Sequence, residues 1–257
     1  MTNNVEQVRN YYNEFRDTRM LSYRLYGNPR IDKAVELIGQ YTRPDSKVLD
    51  IGCGIGLVSE KIGAKIKTGH VWACDIADQN IAYAQQTVID ENITFLKVDI
   101  INEFKKIEDT IQKPVDLVSM VDVIEHLPPN HYETFFSNLG RVTAGDAVVV
   151  LTYPSPEYQR YLHLHNPDEL QVIDETIEIG DLIQWAAHGN FKLQYFSYPD
   201  LDRKNQYVHC VLAKDLAYDE VPRISFKEQV KRYGIKAKNK LIMPILKYKY
   251  IKKPFNQ

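Results

Sequence analysis

The sequence predicts an α/β fold in which a mostly parallel sheet of seven strands carries helices on both faces, with helices before it and a basic tail after it. Two observations lead to this prediction. Between residues 47 and 152, short apolar strands alternate with stretches of helical periodicity. A proline-punctuated turn follows, and strand-like runs at 191–198 and 206–213 then complete the sheet, the last of them antiparallel.

Each element follows from a local pattern. Val5, Val8, Tyr12 and Phe15 lie at helical spacing, and residues 30–41 repeat that period, so two helices are expected before the first strand. The strands are short β-branched or apolar runs bounded by turn formers. The predicted elements are strand 47–51, helix 57–65, strand 70–75, helix 78–88, strand 93–98, helix 103–112, strand 115–120, helix 130–141, strand 146–152, helix 179–188 and strands 191–198 and 206–213, with residues 200–205 as the final hairpin loop.

Three parts are expected along the chain. Residues 1–44 form N-terminal helices that cap the ligand site, residues 45–215 form the α/β domain, and residues 216–257 form the basic tail. In an open parallel sheet the ligand site lies at the carboxyl ends of the strands.

A glycine-rich loop directly after the first strand is the strongest local signal. Glycine stands at positions 52, 54 and 56, where it lets backbone approach a ligand that any Cβ would obstruct. A dinucleotide-binding loop would place its third glycine at position 57, which is leucine, so the spacing disfavours NAD and FAD. The next strand ends in Asp75, whose carboxylate can accept both ribose hydroxyls of a nucleoside. A nucleoside site is therefore predicted; a ligand-free strand-to-helix turn is the alternative.

From this loop onward the chain resembles the class I S-adenosylmethionine-dependent methyltransferases, over roughly residues 45–215. Residues 93–100 look like that family's third strand, with Asp99 where the adenine amine is met. Residues 115–127 look like its fourth strand and following loop, including the Glu-His-Leu ending, and residues 145–152 resemble strand five. The resemblance implies a Rossmann-like sheet and S-adenosylmethionine as cofactor. The cofactor-binding residues it implies are Tyr11, Tyr12, Asp50, Gly52, Cys53, Gly54, Gly56, Asp75, Ile76, Asp99, Ile100, Met120 and Val121.

Two of these assignments have alternatives. Tyr11 and Tyr12 could close over the cationic sulfur, where an aromatic face contributes about 0.5 to 2 kcal/mol, or could pack as ordinary aromatic residues. Asp50, at the root of the loop, is expected to order the loop rather than to touch the acceptor.

The cluster after the fourth strand supplies the catalytic candidates Asp122, Glu125 and His126, which should open toward the methyl group. Methyl transfer from a sulfonium needs positioning, exclusion of water and, for a hydroxyl acceptor, a base. Imidazole, with an ordinary pKa of about 6.5, suits that role near neutral pH, so His126 is the predicted base. The alternative is that the Glu-His pair only shapes the pocket.

The same cluster also resembles the Glu-x-x-Glu-His metal signature of the ubiquinone-biosynthesis O-methyltransferases and the small-RNA 3′-terminal 2′-O-methyltransferases, with Asp122 as a shorter first acid. In the small-RNA family a further histidine follows strand five, and His163 and His165 are the matches here. The ligand set Asp122, Glu125, His126 and His163 would suit Mg²⁺ or Mn²⁺. Surface or substrate-contact roles for the two later histidines are the alternative.

The sequence leaves several classes of methyl acceptor open. The first hypothesis is an O-methyltransferase acting on a small hydroxylated molecule, sugar or glycan, with Tyr153, Tyr158, Tyr161, His163 and His165 as substrate contacts. The second is an RNA 2′-O-methyltransferase with a metal-assisted site. A donor-binding scaffold without catalysis is a third, disfavoured by the intact loop and Asp75. N-methylation also stays open, although no Asn-Pro-Pro-Tyr-type motif follows strand four.

Charge is distributed unevenly. The net charge is −2, but from Arg223 onward eleven Lys or Arg face one acid, which leaves the remainder at about −12. A tail that mixes basic, aliphatic and aromatic residues suggests contact with an anionic membrane surface, and a solvated, partly disordered tail is the alternative. The acidic body disfavours RNA. The N-terminus has no basic start followed by an apolar core, and the three cysteines lack metal-like spacing. We therefore expect a cytoplasmic protein with reduced cysteines, peripheral to the inner face of the membrane if the tail binds lipid.

Overall fold

The computed structural model describes residues 6, 7, 11, 20–216, 231, 233–235, 237 and 238. The chain divides into two compact units, Met1–Leu216 and Ala217–Gln257. The fold and the site described below belong to the first unit.

One seven-stranded sheet organises this unit, with the strand order β3-β2-β1-β4-β5-β7-β6. The first five strands run parallel, and β7 pairs antiparallel with both β5 and β6. The predicted α/β class, the Rossmann-like sheet and the antiparallel last strand are confirmed. The strands are β1 (Lys47–Ile51), β2 (His70–Asp75), β3 (Ile93–Lys97), β4 (Val115–Val121), β5 (Thr143–Pro154), β6 (Lys192–Ser197) and β7 (Tyr207–Ala213).

Eight α-helices connect and cover the strands in the part of the chain that the structure describes. They are α1 (Leu21–Tyr26), α2 (Pro29–Tyr41), α3 (Leu57–Gly63), α4 (Asp78–Thr87), α5 (Phe104–Thr110), α6 (Tyr132–Val142), α7 (Pro156–His165) and α8 (Ile179–Ala187). Short 3₁₀ turns lie at Ile124–His126, Pro129–His131 and Pro167–Glu169.

Two apolar clusters, one on each face of the sheet, hold the layers together. Helices α2, α3 and α4 bury residues such as Ile38, Ile62 and Ala84 against one face. Helices α5, α6 and α8 bury residues such as Phe136 and Leu182 against the other. Burial on both faces explains why the central strands read as continuous apolar runs rather than as alternating ones.

Two elements differ from the prediction. After the proline-punctuated turn the chain forms the regular helix α7, for which no helix was predicted. It begins because Ser155 accepts a hydrogen bond from Tyr158 N (3.2 Å) and Pro156 occupies the first turn. Helix α1 was not predicted. Of the predicted helix 5–17, residues 6, 7 and 11 are helical, and the other residues lie outside the described part. No described helix is both long and apolar enough to cross a bilayer.

Candidate active site

A cavity of about 730 Å³ opens at the carboxyl ends of β1, β2 and β4. Its walls are the glycine loop, the turns after β2 and β4, the segment that joins α1 to α2, and helix α7. The place that the open-sheet rule predicts for a ligand is therefore where the cavity lies. The predicted site residues that line it are Asp50, Gly52, Cys53, Gly54, Asp75, Ile76, Asp99, Ile100, Val121, Asp122, Glu125, His126 and Tyr158.

The glycine loop turns sharply because three residues adopt left-handed backbone, with φ of 70° at Gly52, 53° at Gly54 and 82° at Gly56. At Gly52 a Cβ would lie only 2.3 Å from Val123 Cγ2, so the absence of a side chain lets the loop after β4 approach. The amides of Gly52 and Cys53 donate to Cys74 O at 2.8 and 3.0 Å. The loop is therefore fixed to the end of β2.

Asp75 ties this loop to the start of the next helix. Its carboxylate accepts from Gly54 N and Ala77 N, both at 2.8 Å. Burial raises the pKa of Asp75, and the two amides counteract that effect. An ionised carboxylate offers about four acceptor sites, so two amides leave capacity for ligand hydroxyls.

Asp50, in β1, is hydrogen-bonded to helix α3 and strand β4. The hydroxyls of Ser59 and Ser119 donate to its two oxygens at 2.5 and 2.7 Å. Burial raises the pKa of Asp50 to about 6, although both hydroxyl groups act in the opposite direction.

We expect the stability conferred by Asp50 to depend on pH. The folded-state pKa of about 6 lies above the ordinary 3.8, so the folded state binds the proton more tightly and stability falls as pH rises from about 4 to 6. The loss in the free energy of unfolding should level off at about 3 kcal/mol above pH 6. Urea unfolding of the wild type and of Asp50→Asn, which cannot ionise at this position, measures the effect. The difference between their free energies of unfolding should change between about pH 4 and pH 6. Parallel stability curves would contradict the assignment.

Asp99, at the end of the third strand region, closes its own turn. Its carboxylate accepts from Ile101 N at 3.0 Å, Asn102 N at 3.2 Å and Asn102 Nδ2 at 2.8 Å. Ile100 and Asn102 line the cavity beside it. This turn therefore presents a fixed wall at the side of the cavity away from β4.

Helix α1 covers the glycine loop. Arg24 donates to Ile55 O and to Glu60 Oε2, each at 3.0 Å, and Met20 and Tyr23 line the cavity. Within the described residues, the N-terminal cover of the cavity includes Met20 and Tyr23, and the roles predicted for Tyr11 and Tyr12 stay predictions. Tyr11 is helical and half-buried, and Tyr12 lies outside the described residues.

His126 has a defined orientation. Its Nδ1 lies 2.7 Å from Ile173 O, and since a carbonyl only accepts, Nδ1 carries the proton and Nε2 of the neutral ring carries the lone pair. Glu125 Oε1 is 3.8 Å from Nε2, and Asp174 Oδ1 is 3.8 Å from Nδ1. Burial lowers the pKa of His126, and Asp174 partly opposes this, so the ring is held in its neutral form at neutral pH.

Arg30 from α2 forms an ion pair with Asp122, and it donates to the Tyr207 hydroxyl at 2.6 Å. Burial disfavours the charge on Arg30, but Asp122 and Tyr207 outweigh it and raise the pKa of this guanidinium. Asp122 has a left-handed φ of 55°, a conformation that aspartate adopts more readily than most residues. Burial raises the pKa of Asp122 and, more strongly, that of Glu125, whose side chain is 2% exposed.

Several predicted residues do not line the cavity. Gly56 is the N-cap of α3 and faces Phe95, and Met120 is buried in the apolar cluster. Tyr153 is fully buried on the core face of β5, because side chains alternate along a strand and its neighbour Pro154 takes the cavity side. His163 and His165 are exposed; His163 Nε2 is 3.3 Å from Asp174 O, and the His165 ring packs against Tyr161.

The predicted metal-ligand set is not assembled. Asp122 is paired with Arg30, and His163 lies on the exposed side of α7, so these two cannot join Glu125 and His126 around one ion. Within the described residues, no three His, Cys, Asp or Glu side chains are grouped as a metal ion requires. The residues present therefore do not fit the metal that the sequence pattern suggested.

The structure adds residues that the sequence did not single out. They come from segments far apart in the chain and belong to no motif. The signals that could have indicated them are the charge of Arg30 at the start of an amphipathic helix and the adjacent acids Asp174 and Glu175 after a proline turn. Glu175 N donates to Glu125 O at 2.8 Å, which brings the segment after α7 to the turn that follows β4. The added lining residues are Met20, Tyr23, Arg30, Gln159, Gln171, Ile173, Asp174, Gln206 and Tyr207.

Comparisons with known proteins agree with this geometry. A family model described as a methyltransferase domain matches residues 48–146. The ubiquinone biosynthesis O-methyltransferase of Dechloromonas aromatica is 25% identical over 188 residues, 68% of this chain and 75% of that protein. The ribosomal protein L11 methyltransferase of Acetivibrio thermocellus is 30% identical over 91 residues, 35% of this chain, and the match spans only 27% of that protein's length.

The fold has a solved counterpart. Magnesium protoporphyrin IX methyltransferase from Synechocystis PCC 6803 superposes with a TM-score of 0.62 at 18% identity, covering 82% of this chain and all of that one. These relatives are named for different acceptors. The chain belongs to the class I S-adenosylmethionine-dependent methyltransferase superfamily, and S-adenosylmethionine is its cofactor.

Proposed function

We propose that this protein is an O-methyltransferase that transfers the methyl group of S-adenosylmethionine to a hydroxyl of a small molecule or sugar. The observation that carries the proposal is the orientation of His126. Its ring lines the cavity, and the 2.7 Å contact between Nδ1 and Ile173 O leaves Nε2 as the basic nitrogen of the neutral ring. A hydroxyl acceptor needs such a base, whereas an acceptor that is already nucleophilic does not.

The reaction is a single displacement. The acceptor oxygen attacks the methyl carbon, the bond from that carbon to the sulfonium sulfur breaks, and S-adenosylhomocysteine leaves with the electron pair on sulfur. Nε2 of His126 takes the hydroxyl proton as the new C–O bond forms. The protein's contribution is to hold donor and acceptor in line, exclude water and receive this proton.

Neighbouring carboxylates stabilise the protonated ring. Glu125 lies 3.8 Å from Nε2 and Asp174 lies 3.8 Å from Nδ1. Asp174 and Asp122 raise the pKa of the ring, so they favour the positive charge that develops on imidazole during the reaction. Arg30 in turn neutralises Asp122, which limits the negative charge beside Glu125.

We do not retain the RNA 2′-O-methyltransferase alternative as a second candidate. It requires a ligand set of Asp122, Glu125, His126 and a later histidine, and the ion pair with Arg30 and the position of His163 do not support that set.

The proposal is tested by measuring S-adenosylhomocysteine release with a panel of hydroxyl, amine and carboxyl acceptors, including sugars, lipid-linked glycans and short RNAs. Turnover with hydroxyl acceptors, and a product whose new methyl group is on oxygen by NMR, would support it. Turnover confined to amines or carboxylates would refute it.

The basic tail, residues 216–257, stays a proposed membrane-surface contact and lies largely outside the described residues. From Arg223 onward this tail has eleven basic residues and one acid, and it should bind anionic lipid, at about 1 kcal/mol per basic residue near the surface. We expect the full chain to sediment with vesicles containing phosphatidylglycerol, in a salt-dependent way, and a chain ending at Pro222 to stay in the supernatant. Equal sedimentation of both would remove this proposal.

A further inference from the structure

The wall of the cavity contributed by α7 includes a buried glutamine without a partner. Gln159 is 1% exposed, it lines the cavity, and neither Nε2 nor Oε1 has a hydrogen-bond partner among the described residues. Buried side-chain amides are nearly always paired, because an unpaired donor or acceptor costs free energy when it is removed from water. An exception in a cavity wall indicates that the missing partner is a ligand.

Three further unpartnered oxygens surround the same cavity. They belong to Gln171 Oε1, Asp122 Oδ1 and Glu125 Oε2, and each is buried and without a hydrogen-bond partner in the described part of the chain. The amide oxygens of Gln159 and Gln171 and the ionised Asp122 accept hydrogen bonds, and Glu125 accepts or, when protonated, donates. Among the side chains named here, Gln159 Nε2 is the amide nitrogen without a partner in the described residues. Such a set is complemented by a ligand that carries several hydroxyl groups.

The charge of the wall restricts the ligand further. Besides Asp122, which is paired with Arg30, and Glu125, whose pKa burial raises, the acids Glu169, Asp174 and Asp202 line the cavity. Among the described lining residues Arg30 is the only lysine or arginine, and it is already paired with Asp122. A phosphate or carboxylate on the acceptor would meet like charges without a cation to compensate it, and such juxtaposition is strongly unfavourable.

We infer that the methyl acceptor is an uncharged, hydroxyl-rich molecule that is held by the Gln159 amide and by the unpartnered oxygens of Gln171, Asp122 and Glu125. This inference deepens the proposed O-methyl transfer and rests on it. Gln159 then acts as a specificity-determining residue, because a wall built to hydrogen-bond a hydroxyl rejects molecules that leave its buried groups unpaired.

The first test does not depend on the identity of the acceptor. Gln159→Met keeps the length of the side chain and removes its polar atoms, so it should raise the melting temperature of the ligand-free protein by about 2–4 °C. Gln206→Met is the matched control, since Gln206 lines the same cavity but its Oε1 accepts from Arg203 N at 3.2 Å; this variant should melt lower than the wild type. A fall in melting temperature for Gln159→Met would show that the amide is structural and would overturn the inference.

The second test compares matched acceptor pairs. The probes are D-glucose against D-glucose 6-phosphate and D-glucuronate, and 1,2-dihydroxybenzene against 3,4-dihydroxybenzoate, with S-adenosylhomocysteine release as the readout. The neutral member of a pair should have a kcat/KM at least tenfold higher than its anionic counterpart. Gln159→Met should raise the KM for the neutral member by about 10- to 100-fold, with the Kd for S-adenosylhomocysteine unchanged.

The outcomes distinguish failure of the inference about the acceptor from failure of the proposed O-methyl transfer. Methylation of a hydroxyl probe with a preference for the anionic member, or with a KM that Gln159→Met does not change, overturns the inference and leaves O-methyl transfer standing. Methylation of amine or carboxyl groups alone overturns the proposed function, and the inference falls with it.

Discussion

Replacing His126 by alanine should lower kcat by about 10²- to 10⁴-fold while the Kd for S-adenosylmethionine stays within about twofold of the wild type. The proposed reason is that the ring accepts the proton of the acceptor hydroxyl through Nε2, whereas the donor is expected at the glycine loop, which is tied to Asp75. Steady-state kinetics with the acceptor found by screening, together with calorimetry for the donor, measure both quantities.

The pH profile adds a second readout. A base acts only when it is deprotonated, and burial lowers the pKa of His126, so the acidic limb of kcat against pH should fall below the ordinary histidine pKa of 6.5. His131→Ala is the matched control, because His131 also lines the cavity but is exposed; its activity should remain within about threefold of the wild type. A large loss of donor binding in His126→Ala would instead make this residue structural.

Replacing Asp75 by alanine should have the largest effect on the donor. The carboxylate joins Gly54 N to Ala77 N and retains capacity for two ribose hydroxyls, so its removal both loosens the loop and deletes the ligand's charged partner. Hydrogen bonds to charged groups contribute about 1.5–3 kcal/mol each, so the Kd for S-adenosylhomocysteine should rise by about 10²- to 10³-fold.

Asp78→Ala is the control for this change. Asp78 lies three residues along the same turn, on the exposed start of α4, and its loss should leave the donor Kd nearly unchanged. Calorimetric titration of both variants with S-adenosylhomocysteine measures the two Kd values. If Asp75→Ala bound the donor as tightly as the wild type, the carboxylate could not be the ribose partner.

The fold was predictable because its signals are local. Alternation of apolar strands with helical periods sets the order of elements, and the predicted bounds of β1 and β2 agree with the structure at both ends. The glycines and Asp75 are adjacent to those strand ends, so the donor end of the cavity could be placed from the sequence alone. The boundaries that shifted most are those of β5, which begins at Thr143 because its first residues continue directly from α6.

The acceptor end was less predictable, because its residues meet only through tertiary packing. Arg30 and Asp122 are 92 positions apart, and nothing in either local pattern indicates that a helix before the sheet supplies the partner of an acid after β4. The sequence also did not indicate which face of the sheet each β5 side chain occupies, because the residues of β5 are apolar on both faces. It therefore did not show that Tyr153 faces the core. The predicted metal-ligand set is not assembled for the same reason: Asp122 pairs with Arg30, and this long-range contact was not evident from the sequence.

The central claim is that S-adenosylmethionine binds where β1 and β2 end, between the glycine loop and Asp75. Isothermal titration of ligand-stripped protein with S-adenosylhomocysteine measures it most directly. We expect one site per chain, and loss of that site in Asp75→Ala while Asp78→Ala retains it. Absence of binding to the wild-type protein, or binding that Asp75→Ala leaves unchanged, would contradict the claim.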